Sequence, residues 1–102
     1  MSEFKTSYSY DIEVPAVAKN KIGWILIYTL PIRTMPVKGH KVYFAGKYGD
    51  HCRLSVKEVE HFITSSSEEF SGTIDASHLD QTQSKVLQNI LKEMGVKAHS
   101  RK

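Results

Sequence analysis

Alternating apolar and polar positions predict a strand near the start of the chain. From Phe4 to Val14 the even positions are aromatic, aliphatic or threonine, whereas the odd positions carry lysine, serine or carboxylates. A period of two is typical of a strand with one buried side and one solvent-facing side. We therefore expect an edge or near-edge strand of an antiparallel sheet, ended by Pro15.

A second strand is predicted by the most apolar stretch of the chain. Gly23 to Leu30 contains β-branched and aromatic residues, no charge and no helical period. Such a run favours a central strand buried on both faces. It follows the first strand after a short loop, so we expect the two to form a hairpin. Residues 42–45 and 51–54 predict a second hairpin around the glycine-containing turn 46–50.

Two helices are expected from capping patterns followed by apolar stripes. Ser55 to Glu58 fits a capping box, and an apolar stripe shares one face of a helix over residues 56–64. The stripe consists of Val56, Val59, Phe62 and Ile63. The capping pattern is repeated by Asp80 and Gln83 at the start of a second helix over residues 80–94. Its apolar stripe runs over residues 86–94, and Gly95 follows as the C′ residue.

These elements predict an α+β fold, an antiparallel sheet of about four strands with two helices packed on one face. Residues 70–74 are left open between a connection and a fifth strand. Residues 1–95 are expected to form one domain and residues 96–102 a basic, flexible tail. The expected core is Phe4, Tyr8, Tyr10, Ile12, Trp24, Leu26, Tyr28, Leu30, Phe44, Leu54, Val59, Phe62, Leu87, Ile90 and Leu91.

Composition narrows the class of protein to a small globular domain. Hydrophobic residues make up 40% and charged residues 25% of the 102 residues, which is ordinary for such domains. The longest uncharged run is too short to span a membrane, and the N-terminus lacks the pattern of a signal peptide. Cys52 is the only cysteine, so no internal disulfide is possible. We expect a cytoplasmic protein with no membrane contact.

Charge is segregated along the chain. Residues 33–57 carry six lysines and arginines against Asp50, whereas residues 58–84 carry six carboxylates and no lysine or arginine. Basic residues interleaved with tyrosines can contact phosphates and unpaired bases. The candidate contact residues for a nucleic acid or another partner are Arg33, Lys38, Lys41, Lys47, Tyr48 and Arg53.

The sequence shows no pattern of catalytic or metal-binding residues. His51 and Cys52 are adjacent on a predicted strand, so their side chains should point to opposite faces, with the cysteine buried. The five histidines lack the short spacing of helical zinc sites. We therefore predict no catalytic residues, no metal site and no cofactor.

The leading functional hypothesis is a small non-enzymatic binding or accessory domain that acts through protein or ligand contacts. Nucleic-acid binding through residues 33–57 is the first alternative, and a small-ligand-binding protein or an enzyme without a familiar motif is the second. A homodimer is also expected, because Ile25 and Ile27 make the second face of the apolar strand hydrophobic. The opposing explanation is that residues 31–37 fold back and cover that face.

Overall fold

The computed structural model describes residues 3–15 and 25–101 of the chain. In chain order the elements are β1 (Lys5–Pro15), β2 (Ile25–Ile32), β3 (Lys41–Ala45), β4 (His51–Ile63), β5 (Ser67–Asp75), α1 (Gln81–Glu93) and β6 (Ala98–Arg101). Across these residues, no helix has the length and apolarity needed to cross a membrane.

The strands form one mixed sheet in the order β3-β4-β5-β1-β2-β6. β1 and β5 pair in parallel, whereas the other neighbouring pairs are antiparallel. The expected antiparallel four-stranded sheet with two helices is therefore wrong, since the structure has six strands in a mixed sheet and one helix. Both predicted hairpins are confirmed, as β1 pairs with β2 and β3 pairs with β4.

The predicted helix over residues 56–64 is instead the second half of the long strand β4. Val56 lies opposite Ile74 of β5, but the next pair is Glu58 with Thr73, so Lys57 is an extra residue in a β-bulge. The bulge moves the inward-facing positions from even to odd numbers. Val56, Val59 and Ile63 thereby acquire the spacing of a helical stripe while lying on one face of a strand.

The predicted places of the first two strands in the sheet are also wrong. β1 lies in the middle of the sheet between β5 and β2, whereas β2 is fifth in order and is followed by the edge strand β6. Alternation correctly separates the two faces of β1, but it carries no information about how many neighbours the strand has. Residues 98–101, which we expected in a flexible tail, form β6 and pair with β2.

The core lies on one side of the sheet, beneath α1. Tyr10, Ile12 and Val14 alternate along β1, and Leu87, Ile90 and Leu91 of α1 pack over the same buried cluster. The predicted burial of two core residues is wrong, since the side chains of Phe4 and Phe62 are more than half exposed. Trp24 lies outside the described residues.

The caps of α1 are those predicted. The Asp80 side chain accepts a hydrogen bond of 2.8 Å from the Gln83 amide, which satisfies one free donor at the helix start. Met94 is the C-cap residue, and Gly95 follows with a φ of +78°, a conformation that glycine adopts without steric cost.

The segment after β2 crosses the helix side of the sheet. Pro36 is buried, and a β-carbon added at Gly72 of β5 would lie 2.7 Å from the Pro36 Cβ atom. The same added carbon would lie 3.1 Å from Tyr10 and 3.3 Å from Val56, both of which are core residues. Pro36 therefore does not cover the face that carries Ile25 and Ile27. The alternative to the dimer required such a cover.

We predict that Gly72→Ala lowers the free energy of unfolding by about 1–3 kcal/mol, because the new methyl group overpacks this contact. Urea denaturation measures the change. Pro36→Gly removes the clashing Cβ atom, so the Gly72→Ala change should cost at least ~0.5 kcal/mol less in that background. An equal cost in both backgrounds would contradict the contact.

Candidate functional site

A shallow cationic groove is formed by residues of β3, β4, the end of β5 and the loop that follows β5. We call the side of the sheet that faces away from α1 the outer face. The groove has a volume of about 450 Å³, and it is lined by Lys41, Arg53, Leu54, Ser55, Lys57, Asp75 and His78. Three of these side chains are permanently cationic, and a single carboxylate, that of Asp75, lies among them. The groove therefore favours an anionic ligand.

Alternation along β3 and β4 brings the first cations together. Lys41 lies opposite Ser55, and Tyr43 lies opposite Arg53. These four residues are exposed, whereas the intervening Phe44, Cys52 and Leu54 are buried in the core. The hairpin thus presents polar side chains outward because its apolar set is fixed inward.

The bulge in β4 supplies the third cation. The Gly39 amide donates to the Val56 carbonyl at 2.8 Å, and the Val56 amide donates to the His40 carbonyl at 2.9 Å. These bonds hold Val56 against the loop that precedes β3. At this point β4 stops pairing with β3 and begins to pair with β5. Lys57, the extra residue, lines the groove beside Asp75 and His78, which come from the end of β5 and the following loop.

Arg53 is oriented by a tyrosine rather than neutralised by a carboxylate. Its Nη1 atom donates to the Tyr43 hydroxyl at 3.4 Å, and its guanidinium carbon lies 5.9 Å from the centre of the Tyr43 ring. The Tyr43 hydrogen bond raises the pKa of Arg53 above its ordinary value. Lys41, Arg53 and Lys57 form no ion pair within 4.0 Å with another described residue, so their charges are available to a ligand.

Asp75 is held in its ionised form by its own turn. The Ser77 amide and the Ser77 hydroxyl both donate to Asp75 Oδ1, at 2.9 Å and 2.5 Å. These hydrogen bonds are the main cause of the lowered pKa of Asp75, with smaller contributions from the charges of Lys57 and His78. Asp75 therefore stays negative at neutral pH and offsets part of the groove's positive charge.

Of the six residues proposed from the sequence, the structure brings together Lys41 and Arg53. Lys47 and Tyr48 lie in the turn at the opposite end of the β3–β4 hairpin, where the Lys47 amide donates to Glu93 of α1 at 3.1 Å. Arg33 and Lys38 are exposed in the segment between β2 and β3, outside the groove lining.

Sequence reasoning missed Ser55, Lys57 and His78 as groove residues. The sequence predicts Ser55 as the cap and Lys57 in the first turn of a helix over residues 56–64, so it does not indicate that both face outward from a strand. Continuing the inward alternation of Cys52, Leu54 and Val56 through Lys57 would have indicated its exposure. His78 follows β5, and the sequence left residues 70–74 of that strand open between a connection and a fifth strand.

The middle of the outer face, on the central strands β5, β1 and β2, is polar. Asp11 of β1 accepts hydrogen bonds from Thr29 of β2 at 2.8 Å and from Ser71 of β5 at 2.7 Å. Ile25 and Ile27, the proposed dimer face, are half-buried on β2 beside β6. The outer face is thus less hydrophobic than the apolar run of β2 suggested.

Cys52 belongs to the core, as predicted, and faces away from His51. It is buried and its pKa is raised by desolvation, which disfavours a reactive thiolate. His51 is exposed on the outer face. Within the described ranges, no group of three His, Cys, Asp or Glu residues could hold a metal ion.

Comparison with known proteins gives no relative from which a role could be transferred. No protein-family model, curated protein or solved structure matches the chain.

We predict that Ser77→Ala raises the pKa of Asp75 more than Lys57→Gln does, because it removes the Ser77 hydroxyl hydrogen bond, the largest single cause of the lowered pKa. Carboxyl carbon chemical shifts followed between pH 2 and pH 7 measure both values. Since the folded-state pKa is depressed, the stability that Asp75 contributes is present above its unfolded-state pKa and is lost as pH falls through the folded value. A Ser77→Ala variant with an unchanged Asp75 titration would contradict this account.

Proposed function

We propose that this protein is a non-enzymatic binding domain whose cationic groove binds single-stranded nucleic acid, in the cytoplasm. The single observation that carries the proposal is the convergence of Lys41, Arg53 and Lys57 on one solvent-open groove. Ammonium and guanidinium groups without an internal ion pair are the usual contacts to phosphate oxygens. The negative charge of Asp75 offsets only part of this positive charge, so the groove remains cationic.

An exposed tyrosine beside the groove favours a single-stranded ligand over a duplex. The Tyr43 side chain is 62% exposed and lies next to Arg53 across the hairpin. An unpaired base can stack on such a ring, a contact worth about 1–3 kcal/mol. Bases in a duplex are already stacked on one another and cannot make this contact without distortion.

Salt dependence tests the phosphate contacts. With three phosphates neutralised on a single strand, the logarithm of the affinity should fall with a slope of about −2 against the logarithm of salt, so raising salt from 50 to 200 mM should weaken binding roughly 20-fold. Fluorescence anisotropy with a labelled oligothymidylate measures it. Lys41→Gln and Lys57→Gln should each weaken binding and reduce the slope by about 0.7, whereas Lys85→Gln on α1 should change neither.

A matched pair of tyrosine variants tests the stacking contact in the same assay. Tyr43→Leu should weaken binding by roughly 5-fold or more with an unchanged salt slope, because stacking involves no counterion release. Tyr48→Leu removes an exposed tyrosine from the far end of the hairpin and should have no effect. Salt-independent binding, or equal losses in the two tyrosine variants, would overturn the proposal.

Two further hypotheses from the sequence remain proposals. A second copy could cover Ile25 and Ile27, and light scattering on the same samples gives the mass of the free protein. A small-ligand-binding protein or an enzyme without a familiar motif is the other alternative, supported by a pocket of about 280 Å³. This pocket is lined by His51, Cys52, Arg53, Leu79, Thr82, Gln83 and Val86. The groove favours nucleic acid over both, because its three exposed cations are suited to phosphate contacts.

A further inference from the structure

The second half of β4 is an open edge of the sheet. β3 pairs only with His51–Ser55, and the loop residues 39 and 40 bond to Val56. Beyond the bulge, residues 58–63 pair with β5 on one side and with no described strand on the other. Their outward backbone N–H and C=O groups are therefore able to pair with an added strand.

Two large apolar side chains flank this edge. Phe62 is 56% exposed and Ile63 is 67% exposed. They are adjacent on a strand, so they point to opposite faces of the sheet. Exposed apolar groups beside an open edge are typical of an interaction site.

The two faces of the edge differ in charge. On the outer face, Glu58 and Glu60 precede Phe62 at two-residue intervals, and Glu69 of β5 lies directly opposite Phe62. None of the three carboxylates forms an ion pair within 4.0 Å with another described residue. The outer face of the edge is therefore acidic.

The opposite face of the edge combines apolar side chains with one His–Glu pair. Val59 packs against the core, and the His61 ring stacks on Phe70 with ring centres 3.9 Å apart. His61 Nε2 also lies 3.0 Å from Glu68 Oε2, and Glu68 in turn accepts a hydrogen bond from Thr6 at 3.0 Å. These contacts fix His61 between Val59 and Ile63, so an added strand would meet a preformed surface.

From this arrangement we infer that the edge binds an extended peptide of a partner protein in which basic and apolar residues alternate. Successive side chains of an added strand face opposite sides of the sheet. One set would lie near Glu58, Glu60 and Glu69 and is therefore basic, and the other would lie near Val59 and Ile63 and is therefore apolar. Antiparallel pairing of two copies through this edge would place the carboxylates of both on the same side, which is unfavourable.

This binding site is separate from the cationic groove and takes a ligand of the opposite charge. The two proposals can therefore fail independently. The probes for the edge are (Lys-Val)₃-amide and the matched (Glu-Val)₃-amide, each carrying fluorescein on its N-terminal amine and used without nucleic acid. We expect the lysine peptide to bind at least tenfold more tightly than the glutamate peptide.

Variants of surface carboxylates locate the contact. Glu60→Lys should weaken binding of the lysine peptide at least tenfold, whereas Asp50→Lys, a charge reversal in the β3–β4 turn, should leave it within twofold. Lack of binding at 1 mM lysine peptide, or equal effects of the two variants, would overturn the inference.

Hydrogen exchange distinguishes strand addition from loose electrostatic contact. The lysine peptide should slow exchange of backbone amides within residues 58–63, because their outward N–H groups become paired. Peptide binding without this protection would overturn the inference. So would a concentration-dependent dimer of the free protein that Phe62→Lys dissociates, since the edge would then belong to a second copy.

Discussion

The bulge between Val56 and Glu58 is the local constraint on which the rest of the structure depends. It lets one continuous strand pair first with β3 and then with β5, while the backbone of Val56 bonds to residues 39 and 40. Val56 itself is buried against Ile74 in the core. Without the extra residue, the apolar set of the second half of β4 would turn to the outer face.

The same bulge divides the outer face into two regions of opposite charge. Before it, Arg53 and Ser55 face outward beside Lys41, and Lys57 completes the cationic groove. After it, Glu58, Glu60 and Phe62 face outward along an unpaired edge. The charge segregation visible along the sequence is thereby converted into two neighbouring surfaces, which suit partners of different chemistry.

Local signals in the sequence were sufficient for several elements. The alternation of β1, the turn of the β3–β4 hairpin and the caps of α1 depend on neighbouring residues, and the structure has all three. The places of β1 and β2 in the sheet depend on long-range pairing, which alternation does not encode. β5 was ambiguous because Ser71 and Gly72 interrupt its apolar pattern, and the reason for the glycine, the close approach of Pro36, lies far away in sequence.

The candidate site was predictable from the sequence only where it depends on pairing between nearby residues. Lys41 and Arg53 are cross-strand neighbours in a hairpin that the sequence indicated, so their proximity follows from local pairing. Lys57 and His78 join them only through the bulge and the loop after β5, neither of which could be recognised from the spacing of apolar residues. Lys47 and Tyr48 share the basic block in sequence but lie at the other end of the hairpin.

An NMR titration with a short single-stranded oligonucleotide tests most directly whether the bulge separates the two surfaces. The account predicts that amide chemical shifts change at Lys41, Arg53, Ser55 and Lys57, and at His78 across the groove, while residues 58–63 stay unperturbed. Shifts concentrated in residues 58–63 or on α1, with the groove unchanged, would contradict it.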